Sequence, residues 1–348
     1  MNKKEIINYI DEVVKLQLSL QNQKGLLHPS NYEKHLSSFP TKLYKYRSFD
    51  KYTKDTITNN YVFLCPANKL DDQFECEVNF DEALINKHGK IKKSFINEII
   101  DLIGEFPSSY TKKELKKYIN SCLNNKNNID INKIIQNNNQ NYSEDEKKDI
   151  LNSFSILSTN IWKESNTQNL LKELIKITLD IKNSKGIGSL SEINNSQIMW
   201  EMYSNNYKGY CIEYDTSSDL NLKINTFPVI YGNKKDTDIL SIIIGMIIEE
   251  LVNQLSKGSI NQINKSIKYV YIFLTKYKEW SFQKEWRILG EKDYKFPAPP
   301  IKAIYLGKHC SKTNEKLILR LAKKYNFTVY KQFDNLKNLS IEFKLIKE

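Results

Sequence analysis

The sequence predicts an α+β protein with a split β-sheet core and a helical insert. Three observations lead there. Strand-like runs are short and fall in two separate stretches, 43–64 and 186–346, without regular strand–helix alternation. Residues 81–182 between them follow a helical period instead. The 348 residues are 40% apolar and 11% aromatic, with only 11 Gly and 8 Pro, so the chain can bury a core of its own and is neither a linker nor a collagen-like repeat.

Taken in order, residues 1–39 predict N-terminal helices, because Ile6, Ile7, Ile10, Val13, Val14 and Leu16 recur at helical spacing. LYKYR at 43–47 and YVFLC at 61–65 read as strands around a polar helix near 50–60. In the insert, Phe95, Ile96, Ile99, Ile100 and Ile103 form one stripe. Thr111-x-x-Glu114 and Ser143-x-x-Glu146 have the spacing of capping boxes. From Asn120 to Asn141, ten of 22 residues are Asn, which predicts a loop or weak helix because Asn competes for backbone hydrogen bonds. Strands are expected at 186–191, 210–215, 227–231, 285–289, 301–306, 327–331 and 340–346. Helices are expected at 197–205, 239–255, 261–278 and 313–325, with Lys208-Gly209 capping the first of them. The organisation that follows is a core of 40–80 and 183–310, an insert of 81–182, and a C-terminal helix with two strands over 311–348.

Several classes are disfavoured. The five cysteines are odd in number and lack a CxxC pair, so neither a disulfide framework nor a zinc module is expected, and a reducing cytoplasm suits them. The N-terminus is charged and helical rather than signal-like. The most apolar window, Ile239 to Ile248, is too short to span a bilayer. A soluble, cytoplasmic protein with no membrane partner is expected. The net charge of +11 leaves nucleic acid open as a partner, although no nucleic-acid motif is present and a lysine-rich surface explains the charge as well. No phosphate-loop, dinucleotide or metalloprotease motif occurs, and the four histidines lie far apart.

Four groupings carry the chemistry: Leu43-Tyr44-Lys45-Tyr46-Arg47; Leu70-Asp71-Asp72-Gln73-Phe74-Glu75; Ser189-Leu190-Ser191 with Met199-Trp200-Glu201-Met202-Tyr203 and the strand 210–215; and Trp280 followed by Gln283-Lys284-Glu285-Trp286-Arg287. In this order they resemble a bacterial family known only as domain-of-unknown-function family 2971. That pattern has Asn-Asp-Pro-Phe-Glu where this chain has Asp71 to Glu75, and Glu-x-Glu-Trp-Arg where it has Gln283 to Arg287. The resemblance spans roughly 40–310 and implies no activity.

The layout is also similar to that of ADP-ribosyltransferase-like domains, in which an early strand carries Arg or His, a middle strand Ser-x-Ser and a late strand Gln/Glu-x-Glu. That similarity implies a small-molecule nucleotide, NAD, as substrate, an unidentified acceptor and no resident metal. Arg47 (or Lys45) would hold the nucleotide, and Ser189 and Ser191 would shape its slot. Tyr44, Tyr46, Trp200 and Tyr203 would wall it. Gln283 and Arg287 would flank Glu285, which would stabilise the oxocarbenium ion as nicotinamide leaves. Strand alternation sends Gln283, Glu285 and Arg287 to one face, and Trp286 and Ile288 to the other. Asp72 and Glu75 are expected at the same cleft. A toxin-like effector, in phage defence for example, is one setting for such chemistry.

Two other readings remain open. Asp71, Asp72, Glu75 and Glu77, with Glu285, are oxygen ligands that suit the magnesium of a nuclease or phosphodiesterase. Alternatively the protein is a non-enzymatic sensor whose residues 81–182 meet a partner. Each of these residues also has a structural explanation: Trp200 and Tyr203 as core, Asp72 and Glu75 as turn caps, Glu285 and Arg287 as an ion pair that holds the fold.

Overall fold

The computed structural model describes residues 1–21, 37–70, 76, 94, 97, 116–117, 143–150, 176, 179–180, 182–232 and 265–347. The chain divides into two compact units. One comprises Met1–Glu75, Lys182–Lys234 and Leu274–Glu348; the other comprises Cys76–Ile181 and Lys235–Phe273. The second unit therefore includes 235–273, a segment that the sequence pattern had placed in the core. The stripe from Phe95 to Ile103, the Thr111 capping box, the Asn-rich stretch and the helix 239–255 lie outside the described residues. The Ser143 box is described and is reciprocal. Glu146 N–H donates to Ser143 Oγ at 3.2 Å, and Ser143 N–H donates to Glu146 Oε2 at 2.6 Å. Among the described residues, no helix is long and apolar enough to cross a membrane.

The first unit is built on one mixed sheet. Its elements are α1 (Lys3–Gln21), β1 (Lys42–Arg47), α2 (Thr53–Asn59), β2 (Tyr61–Phe63), β3 (Cys65–Pro66), β4 (Lys185–Ser191), α3 (Gln197–Tyr203), β5 (Tyr210–Asp215), α4 (Leu220–Asn225), β6 (Thr226–Pro228) and β7 (Ile230–Gly232). After α5 (Lys265–Leu274), which lies almost wholly in the second unit, come β8 (Thr275–Tyr277), a 3-10 turn (Lys278–Gln283), β9 (Glu285–Glu291), β10 (Lys295–Pro297), β11 (Ile301–Leu306), α6 (Lys312–Tyr325), β12 (Thr328–Asn335) and β13 (Ser340–Lys347). The main sheet runs β13-β12-β11-β5-β1-β4-β9-β6, with β3 also paired to β4. Within the main sheet only β11 and β12 pair in parallel, as their crossover through α6 requires; outside it, β7 and β8 form a short parallel pair and β2 and β10 a short antiparallel one.

The two faces of the sheet are filled differently. On β9, Trp286 packs edge-on against Tyr9 of α1 and Phe39, with centroids at 5.5 and 4.9 Å. On α1, Tyr9, Ile10, Val13, Val14 and Leu16 are buried. On the other face α3 brings Met199 and Trp200 onto Tyr46, Cys211, Ala303 and Tyr305.

Three sequence expectations are corrected here. The single strand at 227–231 is broken into β6 and β7, because Pro228 lacks the N–H to continue a ladder. The helix at 261–278 stops at Leu274, and its last residues form β8 and the 3-10 turn. Gly209 is not the cap of α3. The helix ends at Tyr203 with Ser204 as its cap, and Asn205, Asn206 and Tyr207 then turn through the left-handed region at φ 52, 52 and 64°. Gly209 serves close packing instead, since a Cβ there would lie 2.2 Å from the carbonyl oxygen of Arg47.

Candidate functional site

The site forms where the sheet opens. β1 keeps full register with β5, from Lys42↔Asp215 to Arg47↔Tyr210. With β4 it shares a single pair, Tyr44↔Ser191. Beyond that pair the two strands separate, and between Tyr44-Lys45-Tyr46 and Ser189-Leu190-Ser191 a cavity of about 470 Å³ opens. That volume lies in the range of small-molecule sites. Lys45 Nζ donates across the gap to the Ser189 carbonyl at 2.7 Å. Met199, Met202 and Tyr203 of α3 supply another wall. Lys276, Trp280, Gln283 and Glu285 close the side towards β9, and Leu70 completes the lining.

Four polar side chains on that side form one buried network. Arg287 is fully buried and Glu285 is 6% exposed. Arg287 grips the Glu285 carboxylate with two donors, Nε to Oε1 at 3.0 Å and Nη2 to Oε2 at 3.1 Å. Lys276 Nζ donates to Glu285 Oε2 at 3.2 Å and to Gln283 Oε1 at 2.8 Å, and it stands 4.9 Å from the centre of the Trp280 ring. Gln283 Nε2 donates to the Tyr203 hydroxyl at 2.6 Å. A left-handed Lys284, φ 41°, turns the chain from the 3-10 segment into β9, so that Gln283 and Glu285 face the same network. Buried charges of this kind are tolerated only with complete partners. A carboxylate offers about four lone-pair sites; the three donors from Arg287 and Lys276 leave capacity for one more from the cavity.

Behind the wall a second carboxylate steadies Tyr44. Glu213, opposite Tyr44 on β5, is 2% exposed. It accepts from the Tyr305 hydroxyl at 2.5 Å and pairs with Lys42 at 3.0 Å. Burial first, and then the charge and hydrogen bond of Glu213, hold the Tyr44 phenol well above its usual range. The Tyr305 phenol is pushed up in the same way. Both phenols therefore stay protonated donors.

Of the residues singled out from sequence, Tyr44, Tyr46, Ser189, Ser191, Tyr203, Gln283 and Glu285 all line the cavity. Ser191 Oγ donates to the Gln283 carbonyl at 2.7 Å and so ties β4 to the turn before β9. Trp200 is not in the wall. It is fully buried beside Tyr46, with Nε1 donating to the Asn194 carbonyl at 2.7 Å. Arg287 stands behind Glu285. Arg47 is held by the start of α2 instead, 3.4 Å from Asp50 and 3.5 Å from Thr56, and is not among the lining residues. The alternative cation on the same strand, Lys45, is. Asp71, Asp72, Glu75 and Glu77 lie outside the described residues. Among the described residues, no group of three or more His, Cys, Asp or Glu stands together as a metal site would.

Sequence reasoning missed Lys276. Its one signal is a lysine just past an apolar helix, which is indistinguishable from an ordinary helix C-terminus.

The block from α3 into β9 holds Tyr203, Lys276, Gln283 and Glu285, and this is the stretch that can be compared. Residues 199–288 match the model of a family described as protein of unknown function (DUF2971). The match agrees with the resemblance drawn from the sequence motifs, over a shorter span. No curated protein and no solved structure matches the chain.

Proposed function

We propose that the cavity binds a nicotinamide nucleotide and cleaves its N-glycosidic bond, passing ADP-ribose to water or to an acceptor. One observation carries this reading. The three strands with the relevant residue types are neighbours in the sheet, in the order β1-β4-β9, and Lys45, Ser189 with Ser191, and Gln283 with Glu285 all line one cavity. The aromatic rings of Tyr44, Tyr46, Tyr203 and Trp280 suit a flat base. The ammonium groups of Lys45 and Lys276 suit phosphate and ribose oxygens. Glu285, oriented by Arg287 and Lys276, would accept a ribose hydroxyl. It would oppose the positive charge that grows on the ribose as nicotinamide departs with the bonding pair.

A second reading, nucleotide sensing without cleavage, is favoured by the two cations that already compensate Glu285. Calorimetry with NAD and ADP-ribose, together with an assay for released nicotinamide, separates the two. The wild type should bind both ligands and release nicotinamide. Binding without release supports the sensor, and no binding of either ligand sinks both readings. Met202 lines the cavity yet is 50% exposed, so it can be enlarged without repacking a core. Met202→Trp should abolish NAD binding and leave the melting temperature near that of the wild type.

A further inference from the structure

Among the described residues, positive charge concentrates in an ordered row away from the cavity. α6 advances about 100° per residue, which puts Lys312, Lys316, Arg320 and Lys323 within an arc of about 80°. The buried residues Ile318, Leu321 and Ala322 lie on the opposite side of the helix. Lys312, Lys316, Arg320 and Lys323 are all exposed. Lys324 continues the row towards the exposed Lys54 of α2. The Tyr325 phenol between them sits below its usual range, chiefly through its contacts with Lys324 and Thr58, with Lys54 adding to the effect.

The nearby carboxylates have partners of their own. Glu315, the single acidic residue of α6, lies 2.8 Å from Lys331 and 3.4 Å from Lys312. Asp55 of α2 lies 2.9 Å from Lys295. From Lys312 to Lys324 the row is about 18 Å long at 1.5 Å per residue. A nucleic-acid duplex presents a charge about every 1.7 Å of its axis, more than enough phosphates for each cation to find one.

We propose that this face of α6, continued by Lys54, binds the phosphate backbone of nucleic acid independently of sequence. An anionic membrane suits it less. A helix that lies in a bilayer surface keeps an apolar face for the lipid, whereas the apolar face of α6 is already buried in the protein. The surface is independent of the cavity chemistry and stands or falls without it.

The test uses the full chain and a fluorescein-labelled 20-base-pair DNA duplex of mixed sequence, followed by anisotropy from 50 to 200 mM salt. The wild type should bind, with log K falling against log salt at a slope near −0.9 per cation engaged, or about −5 when all six cations take part. Lys316→Glu, Arg320→Glu and Lys323→Glu combined should weaken binding by at least about 30-fold and flatten the slope by about 2.7. All three positions are exposed, and an unchanged melting temperature verifies folding. A control with the same charge change elsewhere, Lys4→Glu, Lys292→Glu and Lys302→Glu, should bind almost as the wild type does. The proposal is overturned if the wild type fails to bind at 50 mM salt, or if the control loses as much as the α6 variant. Equally tight binding to phosphatidylserine vesicles would overturn it as well.

Discussion

Glu285→Gln is expected to lower the stability of the protein by about 3–5 kcal/mol, the usual effect of removing one partner from a buried ion pair. Arg287 has no exposed surface, and Lys276 is 5% exposed. An amide in place of the carboxylate keeps the volume but removes the negative charge that both buried cations share. Its NH2 group would also point a donor at one of them. Water compensates poorly, because it reaches Lys276 only from the cavity side and Arg287 not at all. Chemical denaturation should show a lower midpoint with an unchanged slope. A variant as stable as the wild type would mean that Arg287 and Lys276 are neutralised by other groups. Loss of turnover in this variant would say little about catalysis, because the fold itself is weakened.

Glu285→Asp separates the two roles. It keeps the charge, so Arg287 and Lys276 retain a counter-ion and the protein should fold. It withdraws the carboxylate from the cavity by one methylene. If Glu285 meets the ribose, a displacement of that size should reduce nicotinamide release by about 10²-fold, with NAD binding changed much less. If Glu285 only holds the sheet together, release should follow the fraction of folded protein. A stable Glu285→Asp variant with full turnover would end the catalytic assignment of this residue.

Much of the local structure was legible in the sequence because it depends on near neighbours. The reciprocal Ser143–Glu146 box and the alternation that sends Trp286 towards α1 and Glu285 towards the cavity are of this kind. Which strands adjoin is a different matter. β1 pairs with β4 and β5 across more than a hundred residues, and nothing in the Lys42–Arg47 segment names its partners. Arg47 and Lys45 share one side by alternation, so period alone could not tell which cation meets the cavity. That depends on the separation of β1 from β4. Trp200 and Tyr203 show the limit of helical spacing. They are one turn apart, yet one fills the core and the other reaches the cavity, because α3 sits with its edge over the rim. Lys276 depends on a three-residue strand and a left-handed Lys284, features too small for periodicity to detect.

The single shared pair between β1 and β4 gives the sheet a seam. Most strands in such a sheet are zipped to both neighbours, and their amide protons exchange with solvent only when a large part of the structure opens. Along this seam the ladder contributes one pair, Tyr44↔Ser191, and the next link is the Lys45 side chain bonded to the Ser189 carbonyl. The leaf β13-β12-β11-β5-β1 and the leaf β4-β9-β6 can therefore part locally at small energetic cost. A molecule lodged between them would bridge the leaves and slow that breathing. Isotope exchange at 44–46 and 189–191 is then a gauge of occupancy that works for a ligand of any chemistry, and it can sort a collection of candidates by how strongly each closes the seam.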